Sequence, residues 1–260
     1  MSDTPRVCTR LDELDARTDS LLRDAGTACF YLGRPWYDNL VAHVPEFERA
    51  LRIVSAGDCV LPMVADRRRH FGLPVRYLVS LTNFYSTYYA PVCGNGDPAA
   101  LLAGLRRLPD APQALELAFL DDGEAFRRLC DALTGAGYAV FPFDATVNWS
   151  VPIDAGETLD SYLAKRPGRL RSTLQRKSRK LERDHGFRIA LVDGGDGLER
   201  AIADYEQIYA RSWKEAEDYP GFIPGLVRLA AAQGWLRLGL LYVDEQPAAA
   251  QLWITQNRRA

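Results

Sequence analysis

The chain is poor in the residues that bind metals. Its three histidines, His43, His70 and His185, lie far apart, and its five cysteines include no CxxC pair. Such spacing gives no support for a metal site. Cys8, Cys29, Cys59, Cys93 and Cys130 read instead as small buried hydrophobes. No apolar run is long enough to span a bilayer. The opening MSDTPRVCTRLDELDARTD is charged where a secretory leader would be apolar, so a cytoplasmic location is expected. No Ser-His-Asp or Cys-His spacing stands out either, so the pattern names no catalytic residue. What is present is a composition 47% hydrophobic and 25% charged over 260 residues. That suits a globular protein with a substantial core, in one large domain or two.

Charge is unevenly placed. The run Lys165 to Arg183, KRPGRLRSTLQRKSRKLER, holds nine of the 32 Lys and Arg but one of the 34 acids, in a chain of formal net charge −2. At helical spacing, Leu170, Leu174 and Leu181 form one stripe with bases around the rest. This reads either as a solvated linker helix packed by its leucines or as a contact for an anionic partner. The partner could be a phosphate-bearing small molecule or an acidic membrane face. The acidic remainder and the lack of a recognition motif argue against nucleic acid.

On either side of this run the elements repeat one order. Before it, residues 11–24 and Pro35 to Val44 read as helices, and Ala50 to Ser55, Cys59 to Asp66 and Val75 to Ser80 as strands. Asp97-Pro98 opens a helix with Leu101, Leu102, Leu105 and Leu108 on its apolar face. Ala114 to Leu120 reads as a strand, Asp122 to Leu133 as a helix, and Tyr138 to Asp144 and Val147 to Ile153 as two closing strands. After it, Phe187 to Val192 is a strand. Leu198, Ile202, Tyr205, Tyr209 and Trp213 mark an amphipathic helix, and Phe222 to Gln233 another. Leu236 to Val243 and Ala248 to Thr255 form a hairpin around Asp244-Glu245-Gln246-Pro247. The tryptophans Trp149, Trp213, Trp235 and Trp253 read as core.

The residues Asn148-Trp149-Ser150-Val151-Pro152-Ile153, Leu159 to Ala164, Leu170 to Lys177, Ala210-Arg211-Ser212-Trp213 and the hairpin Leu240 to Leu252 carry a resemblance, joined by Leu81 to Ser86. The chain resembles tandem GNAT acyltransferases, the Fem-type aminoacyl transferases and, more closely, the CelD-like acetyltransferases of bacterial cellulose and exopolysaccharide production. The resemblance implies an α/β (α+β) fold of two GNAT-like domains, with mixed, mostly antiparallel sheets flanked by helices. The expected division is 1–155, a basic connecting helix at 156–186, and a second domain at 187–260 that is incomplete at its C-terminus. The acyl-carrier turn and helix would then follow Ala260, or another chain would complete the fold.

The resemblance further implies acetyl-CoA or another acyl-CoA as co-substrate, no metal, and a saccharide or related small-molecule acceptor. Acyl transfer in polysaccharide biosynthesis is the leading expectation. A catalytically degenerate GNAT pair acting as a binding module at an anionic membrane surface is the alternative, and tRNA-dependent aminoacyl transfer a weaker one, since the basic helix is too short for the arm those enzymes carry. Candidate binding residues are Asn83 and Tyr85, in a polar aromatic cluster with Tyr88 and Tyr89, the bases Arg171, Arg176 and Lys177, and Gln251, the one polar residue in a strand expected to be central. In such enzymes a glycine turn at a helix start holds the pyrophosphate. Here the turn is Pro91 to Gly96, with proline in place of Gln or Arg and with Asp97 capping the helix, so a capped structural turn is expected rather than a phosphate site.

Overall fold

The computed structural model describes residues 5–95 and 97–260, and the chain divides into two compact units. Unit 1 extends to Val147 and includes Tyr219–Leu226. Unit 2 comprises Asn148–Asp218 and Val227–Ala260.

Unit 1 opens with β1 (Arg6–Cys8), α1 (Ala16–Ala28), α2 (Arg34–His43) and α3 (Pro45–Ala50). The first helix starts later than expected because Asp15 is its N-cap, accepting from Thr18 N at 2.8 Å. β2 (Leu51–Ala56), β3 (Cys59–His70) and β4 (Leu73–Ser80) follow as an antiparallel meander. Next come β5 (Val92–Cys93), α4 (Ala99–Leu105), β6 (Ala114–Glu116) and α5 (Glu124–Gly135). The sheet order is β1-β2-β3-β4-β6 with β5 on β3, and only β4 and β6 run parallel.

One core of this unit joins Leu61, Met63 and Leu78 of the sheet to Leu101, Leu102 and Leu105 of α4 and Leu129 and Leu133 of α5. Each such burial is worth about 1.5–3 kcal/mol, which explains how so short a helix as α4 is held. Among the helices before the sheet, Leu22, Trp36, Tyr37 and Leu40 are fully buried. There α1 meets the start of α2 backbone to backbone: a Cβ on Gly26 would lie 2.8 Å from Gly33 Cα. Gly26→Ala is therefore expected to destabilise the unit by about 1–3 kcal/mol, read as a lower urea midpoint with unchanged slope.

Three expectations for this unit change. β6 stops at Glu116 because Phe119 takes a left-handed φ of 60° and turns the chain, although Leu117, Phe119 and Leu120 still pack on the core. Tyr138 to Asp144 and Val147 to Ile153 carry no ladder. Pro142 and Pro152 remove donors from them, and Phe141, Phe143, Val147, Trp149, Val151 and Ile153 stay exposed. Finally, Cys59 and Cys93 are not two separate hydrophobes: they form a disulfide between β3 and β5, while Cys8, Cys29 and Cys130 form none.

Unit 2 contains α6 (Leu159–Ala164), which starts in a reciprocal Thr158–Ser161 capping box, and α7 (Gly168–Asp184). Then come β7 (Phe187–Val192) and α8 (Leu198–Ala210). α9 (Phe222–Ala232) begins in unit 1 and continues into unit 2, and β8 (Leu236–Val243) and β9 (Gln246–Ile254) close the chain. The order β7-β8-β9 is wholly antiparallel, so both sheets fit the mixed, mostly antiparallel reading. Asp244 and Glu245 make the β8–β9 turn with positive φ of 47° and 60°. Leu236, Leu238, Leu240 and Tyr242 bury one face of β8, while Ala201, Ile202 and Asp204 are the buried positions of α8.

The tryptophans depart from expectation. Helix α8 ends at Ala210, before Trp213, which is 92% exposed; Trp149 is as open, Trp253 half-exposed and Trp235 partly buried. The fully buried indole is Trp36.

Candidate functional site

After β4 the chain turns on its own side chains. Asn83 Oδ1 accepts from Tyr85 N at 3.0 Å, Asn83 N donates to Ser86 Oγ at 3.1 Å, and Ser86 N returns to Asn83 O at 2.9 Å. This Asx-type turn lays Tyr85 on Phe222, with centroids 4.2 Å apart and planes within 6°. Phe222 also meets Trp36 edge-on at 5.6 Å, Trp36 meets Tyr31 and Phe30, and the exposed Phe84 leans on Tyr85 with tilted planes and stacks on Tyr219. All belong to unit 1.

The structure thus brings Asn83 and Tyr85 together within a continuous aromatic cluster. Asn83 Nδ2 lies buried without a hydrogen-bond partner, a donor available to an acceptor atom of a ligand. Tyr89 instead is core: it is buried, and its hydroxyl donates to Pro62 O at 2.9 Å. Burial drives its phenol far above the usual range and raises that of Tyr31 as well. The contributions of Tyr31, Trp36, Tyr219 and Phe222 were not anticipated. The dense run FYLGRPWY at 30–37 is the sequence signal that could have pointed to part of them.

The glycine turn does not fit a pyrophosphate. Gly94 N donates to Asp58 O at 2.9 Å, and Ala99 N to Asp97 Oδ1 at 2.8 Å, so these amides are already used. The Cys59–Cys93 disulfide ties the turn to β3, and a Cβ on Gly94 would meet Asp58 Oδ2, itself buried and unpartnered. A phosphate there would face two carboxylates. Gly96, part of the same expectation, lies outside the described residues.

In unit 2, Arg171, Arg176 and Lys177 project from α7 as exposed side chains. Leu170 and Leu174 are exposed too, and Leu181 is half-buried, so the leucine stripe does not seat the helix as a packed linker would. What fixes its C-terminal end is Asp244, which pairs with His185 Nδ1 at 2.8 Å and accepts from Gly186 N at 3.0 Å. The His185 hydrogen bond, then the Gly186 amide, holds the Asp244 carboxyl below the usual carboxylate range. A depressed native value means that this tie is intact above the ordinary pKa of about 3.9 and lost as pH falls through the lower native one. A carbonyl-detected NMR titration should place the Asp244 midpoint below about 3.9, and His185→Ala should move it back towards that value.

Gln251 lies on β9, at the sheet edge rather than in its centre, and is exposed. Register puts Leu191, Gly239 and Gln251 in one row, on the face opposite the buried residues of β8. That face is open: Ile189 and Leu191 of β7 are 67% and 83% exposed. On the packed face, Tyr242 donates to the buried Asp204 at 2.6 Å, with Arg188 3.6 Å over the Tyr242 ring.

Among the described residues, no group of three or more His, Cys, Asp and Glu could hold a metal ion, and no helix is long and apolar enough to cross a membrane. Comparison with protein families identifies residues 168–260, from the start of α7 onward, as matching an acetyltransferase (GNAT) domain. This supports a GNAT-superfamily relationship for that part of the chain and acyl transfer as its general chemistry. No curated protein and no solved structure matches the chain.

Proposed function

We propose that the chain is an acyltransferase of the CelD-like kind, moving an acyl group from acyl-CoA to an amine or hydroxyl of a saccharide. The observation that carries this is the GNAT match over α7, β7, α8, α9, β8 and β9. In the reaction the acceptor nitrogen or oxygen attacks the thioester carbonyl. The new C–N or C–O bond forms, the C–S bond breaks, CoA leaves as the thiolate, and the acceptor proton passes through a base or solvent to give the CoA thiol. The enzyme's share is to position the reactants and stabilise the oxyanion.

The residues offer suitable chemistry for both substrates. Arg171, Arg176 and Lys177 supply cations for the donor's phosphates. Gln251 offers an exposed amide in one row with Gly239, able to hydrogen-bond a substrate group. A saccharide acceptor suits the unit 1 cluster, where the exposed Phe84 gives a ring face and Asn83 a free donor.

Isothermal titration with acetyl-CoA tests this reading. Binding is expected in the range of about 1 μM–1 mM typical of enzyme substrates, and R176Q/K177Q should weaken it about tenfold or more. Absence of heat would remove the acyl-CoA reading. It would favour a catalytically degenerate scaffold at an anionic membrane surface, the second reading, which is supported by the spent amides of the unit 1 turn and by exposed α7.

A further inference from the structure

The β3–β4 hairpin extends well past the core of unit 1, and its two faces differ. On one face, Arg68 pairs with Asp66 and Glu116 and lies 4.6 Å over Tyr77, whose hydroxyl is 2.8 Å from His70 Nε2. Charge on that face is matched. The other face continues the row of buried Met63 and Leu78 and partly buried Ala65 outward as Arg67, Arg69 and Arg76. Arg67 and Arg76 are directly opposed in register, an arrangement that repels. Arg69 reaches only the Gly72 carbonyl and Arg76 only that of Ala111. Among the described residues none of these three arginines has an acidic partner.

The tip is apolar. His70 pairs with Leu73 across Phe71 and Gly72, both at positive φ (50° and 84°). A two-residue turn of this kind favours Asn-Gly. Phenylalanine in its first position carries a steric cost that asparagine would not, and it touches nothing: Phe71 is 106% exposed and Leu73 69%. An aromatic held out at the end of a paired hairpin, above three arginines without acidic partners, has the layout of an interfacial anchor. The ring enters the headgroup–acyl boundary while the guanidinium groups stay level with lipid phosphates. A nucleic-acid strand would satisfy the arginines, but a single ring beside Leu73 is not the row of stacking faces that bases use.

We propose that the β3–β4 hairpin docks unit 1 onto an anionic lipid surface, with Phe71 as the apolar anchor and Arg67, Arg69 and Arg76 as the phosphate contacts. The proposal does not rest on the acyl-transfer reading. Each arginine near such a surface is worth roughly a fivefold change in partitioning, and the ring about tenfold.

The test is co-sedimentation of the full chain with phosphatidylserine-containing vesicles, with pure phosphatidylcholine vesicles as control. Phosphatidylserine-dependent binding is expected. It should fall about tenfold in F71N and about a hundredfold in R67Q/R69Q/R76Q. F71N should also unfold at an equal or higher temperature than wild type, since asparagine suits the turn, so its lost binding would not reflect lost folding. A variant with Arg176, Lys177, Arg179 and Lys180 changed to Gln should keep the hairpin dependence. Binding that ignores the hairpin variants, binding by neither vesicle, or hairpin-dependent binding of a single-stranded oligonucleotide without vesicle binding would each overturn the proposal.

Discussion

Replacing Phe222 by alanine is expected to destabilise unit 1 by about 3–5 kcal/mol. The side chain is fully buried between Tyr85, stacked at 4.2 Å, and Trp36, edge-on at 5.6 Å. Its carbonyl accepts from the buried Asn39 amide at 3.2 Å. Gly225 follows on the same helix, so close that a Cβ there would fall 2.2 Å from Asn39 Oδ1. Losing the ring opens a cavity and frees the start of α9 to shift, so Asn39 would also lose its partner. Hydrogen exchange separates this from any effect on unit 2: protection should collapse in α2 and change little in β7 and β8. Unchanged α2 protection would mean that the aromatic cluster is ornamental to stability.

The second large effect is expected in unit 2 from Tyr242→Phe. Asp204 is a buried carboxylate whose close donor is Tyr242, with Arg200 more distant at 3.4 Å. Removing the hydroxyl leaves the charge poorly satisfied, a loss of about 1–3 kcal/mol or more for an ionised group. Asp204→Ala should also destabilise, and the double variant should cost less than the sum, because both act on one bond. Burial first, then the hydrogen bond to Asp204, raises the Tyr242 phenol above its usual range. The stabilisation tied to that shift is complete below about pH 10 and lost as pH rises through the native value. Wild type should therefore lose more stability than Tyr242→Phe as pH rises above about 10, the fall that remains in the variant coming from other raised phenols such as Tyr89 and Tyr31.

Local structure was legible in the sequence where punctuation was strong. Gly57-Asp58 and Gly72 delimit β2, β3 and β4 close to where the chain turns, and the leucine spacing at 101–105 marks α4. The segment from 138 to 153 failed for an instructive reason. Its alternation is that of a half-buried strand, but alternation does not supply a partner edge, and β6 offers only three residues. Trp213 failed similarly, since helical spacing continued past the point where the helix ends. Of the candidate site, Asn83 and Tyr85 were readable because polar and aromatic residues crowd together there. The partner of Tyr85, Phe222, and the Trp36 and Tyr31 rings beyond it lie far away in sequence, and the Cys59–Cys93 pairing depends on β5 meeting β3. Contacts of that kind are set by the tertiary fold.

The bond from Asn39 to Phe222 spans 183 residues. A chain made at about 5–20 residues per second needs roughly 10–40 s to travel that distance. Trp36 is already on the nascent chain throughout that interval and Tyr85 joins it about a quarter of the way through, while the ring that packs between them has yet to be synthesised. Unit 1 is thus unable to close its aromatic core until much of unit 2 has emerged. During translation, that unfinished core is an apolar surface for a chaperone to shield.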